Sequence, residues 1–127
     1  MSVGIEDPSG LTAEGILMNT ELLTNPLVKA AIEAMNAHDR QGWLRLFADG
    51  AALSDDGYLR DLIHWSDQEL FGKHKAYLKS INRVEDNGQM IYGTFHSDRW
   101  GEFETFMRFN IFDNQITRLD VGQVADI

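Results

Sequence analysis

The chain has 127 residues, 43% of them hydrophobic and 24% charged, with no cysteine and a formal net charge of −9. That is one domain's worth of chain, able to bury most of its apolar surface without disulfide or metal staples, and too apolar for disorder. The negative charge repels phosphate backbones and anionic headgroups, so neither nucleic acid nor membrane is expected as a partner, and the missing cysteine removes disulfides, thiolate nucleophiles and Cys-bound zinc.

Residues 1–10, with Gly4, Pro8, Ser9 and Gly10, read as an irregular lead-in. No basic stretch followed by an apolar core marks a signal peptide, and no apolar run approaches membrane-spanning length, which suits a cytoplasmic protein. Thr12 is placed to cap a helix over residues 13–23, with Leu11 and Ile16 stapled across the cap. Residues 1–24 are thus expected to form an N-terminal extension whose helix covers one mouth of the fold, packs on a neighbouring subunit or serves as a substrate lid.

Asn25 and Pro26 open the next helix, since Asn caps free N–H groups and Pro fits the first helical position. Val28, Ile32 and Met35 share a face, with Leu27, Ala31 and Ala34 beside them, and the helix ends near Asn36. Asp39 can cap a short helix with Trp43, Leu46 and Phe47 at helical spacing, which Gly50 stops before a strand at Ala51-Ala52-Leu53-Ser54. Asp55-Asp56-Gly57 then turns the chain. Asp61 can cap a further helix through Leu62, Ile63, Trp65 and Leu70, ended by Gly72. From Lys75 onward β-branched and aromatic residues are separated by turn signals at 86–88, 97–101 and 113–114, which predicts strands near 76–85, 89–96, 102–112 and 115–121. Residues 25–122 would then be the folded domain and 123–127 a tail. Helices followed by hairpin-linked strands predict an α+β fold, about three or four helices packed on one face of a mostly antiparallel sheet.

Alternation in the strand from Glu104 to Phe112 puts Phe106, Arg108, Asn110 and Phe112 on one face and Thr105, Met107, Phe109 and Ile111 on the other. Both faces need cover. The expected arrangement turns the first set toward the helices and an internal pocket, and the second outward to a symmetry-related copy, making a homodimer through the outer sheet face.

Ala34-Met35-Asn36-Ala37-His38-Asp39, then Leu46-Phe47-Ala48-Asp49, then Asp55-Asp56-Gly57 resemble the nuclear-transport-factor-2-like (NTF2-like) superfamily, which includes ketosteroid isomerases and SnoaL-type polyketide cyclases. The resemblance implies a cone-shaped, curved sheet with a cavity inside. It also places Asp55 where the isomerases keep their proton-shuttling Asp, and a carboxylate in an apolar pocket can move a proton next to a carbonyl. The alternative is that Asp55 sits in a solvated acidic turn. Two positions depart from the isomerase pattern: its oxyanion-binding Tyr falls at Ala31, and its partner acid falls near Arg108. Without those donors a dienolate cannot be stabilised in the isomerase way, although Arg108 could itself bind an oxyanion or carboxylate.

The implied fold brings Trp43, Tyr58, Trp65, Phe95, Phe106, Arg108 and Asn110 together as cavity residues, the aromatic ones being core side chains in the alternative. Arg108 either orients a ligand or forms a structural ion pair with Asp55 or Asp120. His38, His64, His74 and His96 share no metal-ligand spacing, so no metal is expected; His96 with Asp98 could make an oriented acid/base pair at a strand end. No phosphate loop, nucleophile elbow or glycosidase carboxylate pair is present, so no cofactor is expected. The expectation is a cavity for a small, largely apolar or carbonyl-containing molecule, with cofactor-free isomerase- or cyclase-like acid/base chemistry at Asp55. The alternative is a non-catalytic ligand-binding or protein-interaction module. A filled cavity with an exposed apolar patch would favour that alternative.

Overall fold

The computed structural model of the chain describes residues 20–124. The expected helix over residues 13–23 lies almost wholly outside them; its last part is a 3-10 turn at Thr20–Leu22. Three α-helices follow, α1 (Pro26–Asn36), α2 (Arg40–Leu44) and α3 (Leu62–Glu69), with six strands, β1 (Phe47–Asp55), β2 (Tyr58–Arg60), β3 (Ala76–Glu85), β4 (Met90–Ser97), β5 (Gly101–Phe112) and β6 (Gln115–Gln123). The strands form one sheet in the order β2-β1-β6-β5-β4-β3, antiparallel throughout except where β1 runs parallel to β6. The α+β expectation holds.

Local chemistry sets the helix starts. The Asn25 side chain accepts from the N–H groups of Leu27 and Val28, Asp39 accepts from Gly42 and Asp61 accepts from His64, so each first turn has its free donors satisfied. Val28, Ala31, Ile32 and Met35 are the buried stripe of α1. They meet Leu78, Ile81, Ile91, Phe109, Ile116 and Leu119 of the sheet in one continuous core. Asn36 ties the end of α1 to β3, its amide donating to the Leu78 carbonyl at 3.0 Å and accepting from the Leu78 N–H at 2.9 Å.

The junction of α2 and β1 differs from expectation. The helix stops at Leu44 and the strand starts at Phe47, so Gly50 is inside β1 and does not end a helix. Its φ of 75° lies where the register against β6 slips between Phe47 and Ala52, a bulge for which glycine is the residue with least strain. The acidic turn is a two-residue hairpin in which Asp56 and Gly57 both have positive φ, 51° and 87°, and β2 is the strand it returns into.

The facing of β5 is the reverse of the expected one. Thr105, Met107 and Phe109 are buried under the helices, with Ile111 packed against the same core, whereas Arg108, Asn110 and Phe112 are exposed on the outer face and Phe106 is half-buried there. The outer face is accordingly polar. Arg118 pairs with Asp120 at 3.0 Å, Lys79 with Glu102 at 3.1 Å, and Arg83 lies 4.0 Å over the Tyr92 ring. The apolar face that motivated a dimer through the outer sheet is therefore the inside of the fold.

Burial pushes the Asp120 carboxyl up, but Arg118, the Ser54 hydroxyl donating at 2.5 Å and the more distant Arg108 outweigh it and leave its pKa below the ordinary carboxylate value. His96 shows the opposite sense. Its two ring nitrogens meet Asp98 at 2.7 Å and Glu102 at 3.0 Å beside the stacked Tyr77 ring, so the carboxylates raise its pKa; His96 lowers that of Asp98 in turn, and Lys79 followed by His96 lowers that of Glu102. A raised histidine stabilises the fold fully below its unfolded value of 6.5 and loses that contribution as pH climbs through the folded one. His96→Gln should therefore lower Tm most between about pH 5 and pH 6.5, and the gap should close by about pH 9. Thermal melts across that range check it; a gap that grows with pH would mean that neutral His96 is the form the fold holds.

Candidate active site

Between α1, α3 and the inner face of the sheet lies a cavity of about 520 Å3. Its apolar wall comes from Met35, Leu70, Phe95, Phe103, Met107 and Val121, with Trp65 beside them. Strand periodicity explains most of this: Phe95 and Phe103 are register partners on β4 and β5, their rings 5.8 Å apart, and Met107 and Val121 are partners on β5 and β6. Trp100, 61% exposed, also lines the cavity, and its indole N–H donates to Glu69 at 3.0 Å and so joins the β4–β5 hairpin to the end of α3. The Ser97 hydroxyl accepts from the N–H groups of Arg99 and Trp100 and shapes that hairpin.

Asp55 ends β1 with its side chain on the inner face, beside Leu53 in the alternation and opposite Val121 of β6. The indole N–H of Trp65 donates to its Oδ2 at 2.8 Å. One oxygen is thus fixed by a neutral donor and the other, Oδ1, has no partner among the described residues. Asp56, the next residue, points elsewhere and accepts from the Gln123 N–H at 2.9 Å.

Of the expected cavity residues, Asp55, Trp65 and Phe95 come together. The others do not. Trp43 is fully buried in the core, donating to the Ser66 hydroxyl at 3.0 Å, with Phe47 and Phe71 around its ring. Tyr58, 75% exposed, stands on the edge strand. Phe106, Arg108 and Asn110 belong to the outer face with the rest of their set. Arg108 pairs with Asp86 at 2.9 Å, across the hairpin between β3 and β4, and with neither Asp55 nor Asp120. The His96–Asp98 pair forms, also away from the cavity wall.

The site also contains residues that the sequence did not single out, Arg60 at the end of β2, Glu69, Trp100, Glu102 and Phe103, together with Thr105 and Met107, for which the outer face was expected. Arg60 comes from a three-residue strand too short to show alternation. Trp100 lies in, and Glu102 just beyond, the 97–101 turn that the sequence did locate. Among the described residues no group of three or more His, Asp or Glu side chains is placed to hold a metal ion, and no helix is long and apolar enough to cross a membrane.

No protein-family model matches the sequence, and no curated protein sequence does. Solved structures match its shape. A protein from Sphaerobacter thermophilus superposes with a TM-score of 0.65 at 16% identity, over 83% of this chain and 99% of that one. An NTF2-like protein of unknown function from Cytophaga hutchinsonii gives 0.58 at 15% identity, over 82% and 92%. The fold is NTF2-like. The same NTF2-like fold matches part of a longer chain, the Orange Carotenoid Protein of Anabaena binding canthaxanthin, with a TM-score of 0.63 at 15% identity over 86% of this chain and 39% of that one. NTF2-like scaffolds carry unrelated activities, and at these identities the likeness establishes the architecture alone.

Proposed function

We propose that the cavity binds a small, largely apolar molecule and that Asp55 acts on it as a general base. The observation that carries this is the placement of Asp55 in a recess of about 520 Å3 of mixed polar and apolar lining, facing Met35, Leu70, Phe95, Phe103, Met107 and Val121, fixed through one oxygen by Trp65 and without an ion pair to any described residue. A recess of that size suits a small molecule, since ligand pockets run to roughly 300–1,000 Å3 and are mostly apolar with a few polar groups. The carotenoid held by the Anabaena protein is a case of an apolar ligand in a chain that shares the fold. Absence of cysteine supports a cytoplasmic setting.

N-phenyl-1-naphthylamine, neutral and fluorescent in apolar surroundings, should bind the wild type. Phe103→Asp, which puts a carboxylate in the wall, should weaken it at least about tenfold, or ~1.4 kcal/mol. Asp55→Asn should bind the dye as well as the wild type and should lose deuterium uptake from D2O at the α-carbon of 2-tetralone. Equal dye binding by all three proteins would place the dye elsewhere. Uptake that survives in Asp55→Asn would remove the base and leave a ligand carrier.

A further inference from the structure

The wall of the cavity is uneven in its exposure. Met35, Trp65, Leu70 and Met107 are buried, whereas the lining residues Asp56, Arg60, Trp100, Glu102 and Gln123 are exposed, so the cavity meets solvent where those exposed residues stand. Trp100 is the largest of them. A bulky ring that lines a cavity and is itself more than half exposed stands in the opening.

The backbone on either side of that ring is tied down. On α3 the Ser66 hydroxyl accepts from the Trp43 indole at 3.0 Å, and the Trp65 indole donates to Asp55 at 2.8 Å. The β4–β5 hairpin is fastened to the residue before β3, since the Asp98 N–H donates to the Lys75 carbonyl at 2.9 Å and the Asp98 carboxylate accepts from the Lys75 N–H at 3.3 Å. The Trp100 indole is held more lightly. Its N–H donates to Glu69 at 3.0 Å, and the Arg99 guanidinium lies 4.7 Å over the ring and 3.9 Å from the Glu69 carboxylate. These are exposed side-chain contacts, which are weak singly and break without moving the chain.

We propose that the Trp100 indole is the gate of this cavity and Glu69 its latch, an inference that rests on the cavity's being a small-molecule site. With the latch made, the ring stands in the opening between the hairpin and the end of α3. When the N–H leaves Glu69, the side chain turns about its own bonds to another staggered position and uncovers the apolar wall behind it. Such rotations of exposed side chains are fast, so a ligand meets an equilibrium between shut and open rings, and only the open fraction admits or releases it. Weakening the latch therefore speeds entry and exit by one common factor. A ring that served only as a wall contact would change the exit rate alone.

Stopped-flow mixing with N-phenyl-1-naphthylamine reads the two rates separately. Trp100→Phe keeps an aromatic ring and loses the N–H, and Glu69→Ala removes the acceptor. Each should raise the association and dissociation rate constants together by about three- to tenfold, the usual contribution of one hydrogen bond. The two combined should go no further than either alone, because both remove the same bond. Wild-type rates in either variant would overturn the gate while the small-molecule site stands. A change confined to dissociation would make Trp100 a wall contact and overturn it equally. A dye that does not bind the wild type would remove the site and the gate together.

Discussion

Phe109→Glu is expected to abolish folding near neutral pH, whereas Asn110→Glu, one residue along, is expected to be tolerated within about 0.5 kcal/mol. Phe109 has no exposed surface and sits opposite Leu119 on the inner face of the sheet; Asn110 is exposed on the outer one. A carboxylate at 109 would leave water for a core with no cation in it, which costs several kcal/mol or forces the group to take up a proton. The lost aromatic ring adds about 3–5 kcal/mol, and the total rivals the whole stability of an ordinary domain, about 5–15 kcal/mol. The sign with pH follows. The buried carboxyl's folded pKa is raised, so the penalty shrinks as pH falls and some native signal should return in mild acid. Near-UV circular dichroism and a thermal melt at both pH values check this. A Phe109→Glu protein that melts like the wild type would show that β5 presents its other face to the helices.

Trp43→Ala should destabilise by about 3–5 kcal/mol from the cavity alone, because the indole is fully buried between Phe47 and Phe71. It also strands the Ser66 hydroxyl, which is fully buried and accepts from the indole N–H, adding about 1–3 kcal/mol. Trp43→Phe separates the two contributions by keeping most of the ring and losing the hydrogen bond. Urea titrations should show the midpoint falling in the order wild type, Phe, Ala, with the slope unchanged. Ligand binding in the Phe variant should equal the wild type, since Trp43 lies in the core and outside the cavity wall.

What was legible in the sequence was what local chemistry decides. The cap at Asn25, the buried stripe of α1 and the cap at Asp61 need only a few neighbouring residues to specify, and they appear as read. Gly50 has two local meanings, a helix stop or a strand bulge. The choice between them is made by β6, which lies far along the chain and takes Phe47 into the sheet. The same holds for β5: with Phe106 and Phe112 on one face and Met107 and Phe109 on the other, alternation gives a period without a sign. The sign comes from Leu119 and Val121 of β6 and from the helices, and because it is the reverse of the expected one Phe106, Arg108 and Asn110 all fall outside the site. Trp65 was legible because a helix face carries it, whereas Asp55 entered through the family resemblance and was expected in the turn, one residue beyond the strand it in fact ends. Arg60 was not legible, because its placement depends on the hairpin register.

The parallel pairing of β1 with β6 also governs when the protein can fold. Ser54 and Asp120, hydrogen-bonded across that seam, are 66 residues apart, and β6 is the last strand of the sheet in chain order. On the ribosome, the β1–β2 hairpin and α1 emerge early, yet the inner neighbour that β1 needs is synthesised after every other strand. Closing so long a loop before its contacts form is entropically slow, and the nascent chain holds Leu53 and the α1 stripe without cover meanwhile. Release of the β6 segment from the exit tunnel should therefore be the event that commits the chain, and nascent chains arrested before Thr117 should remain protease-sensitive through β1.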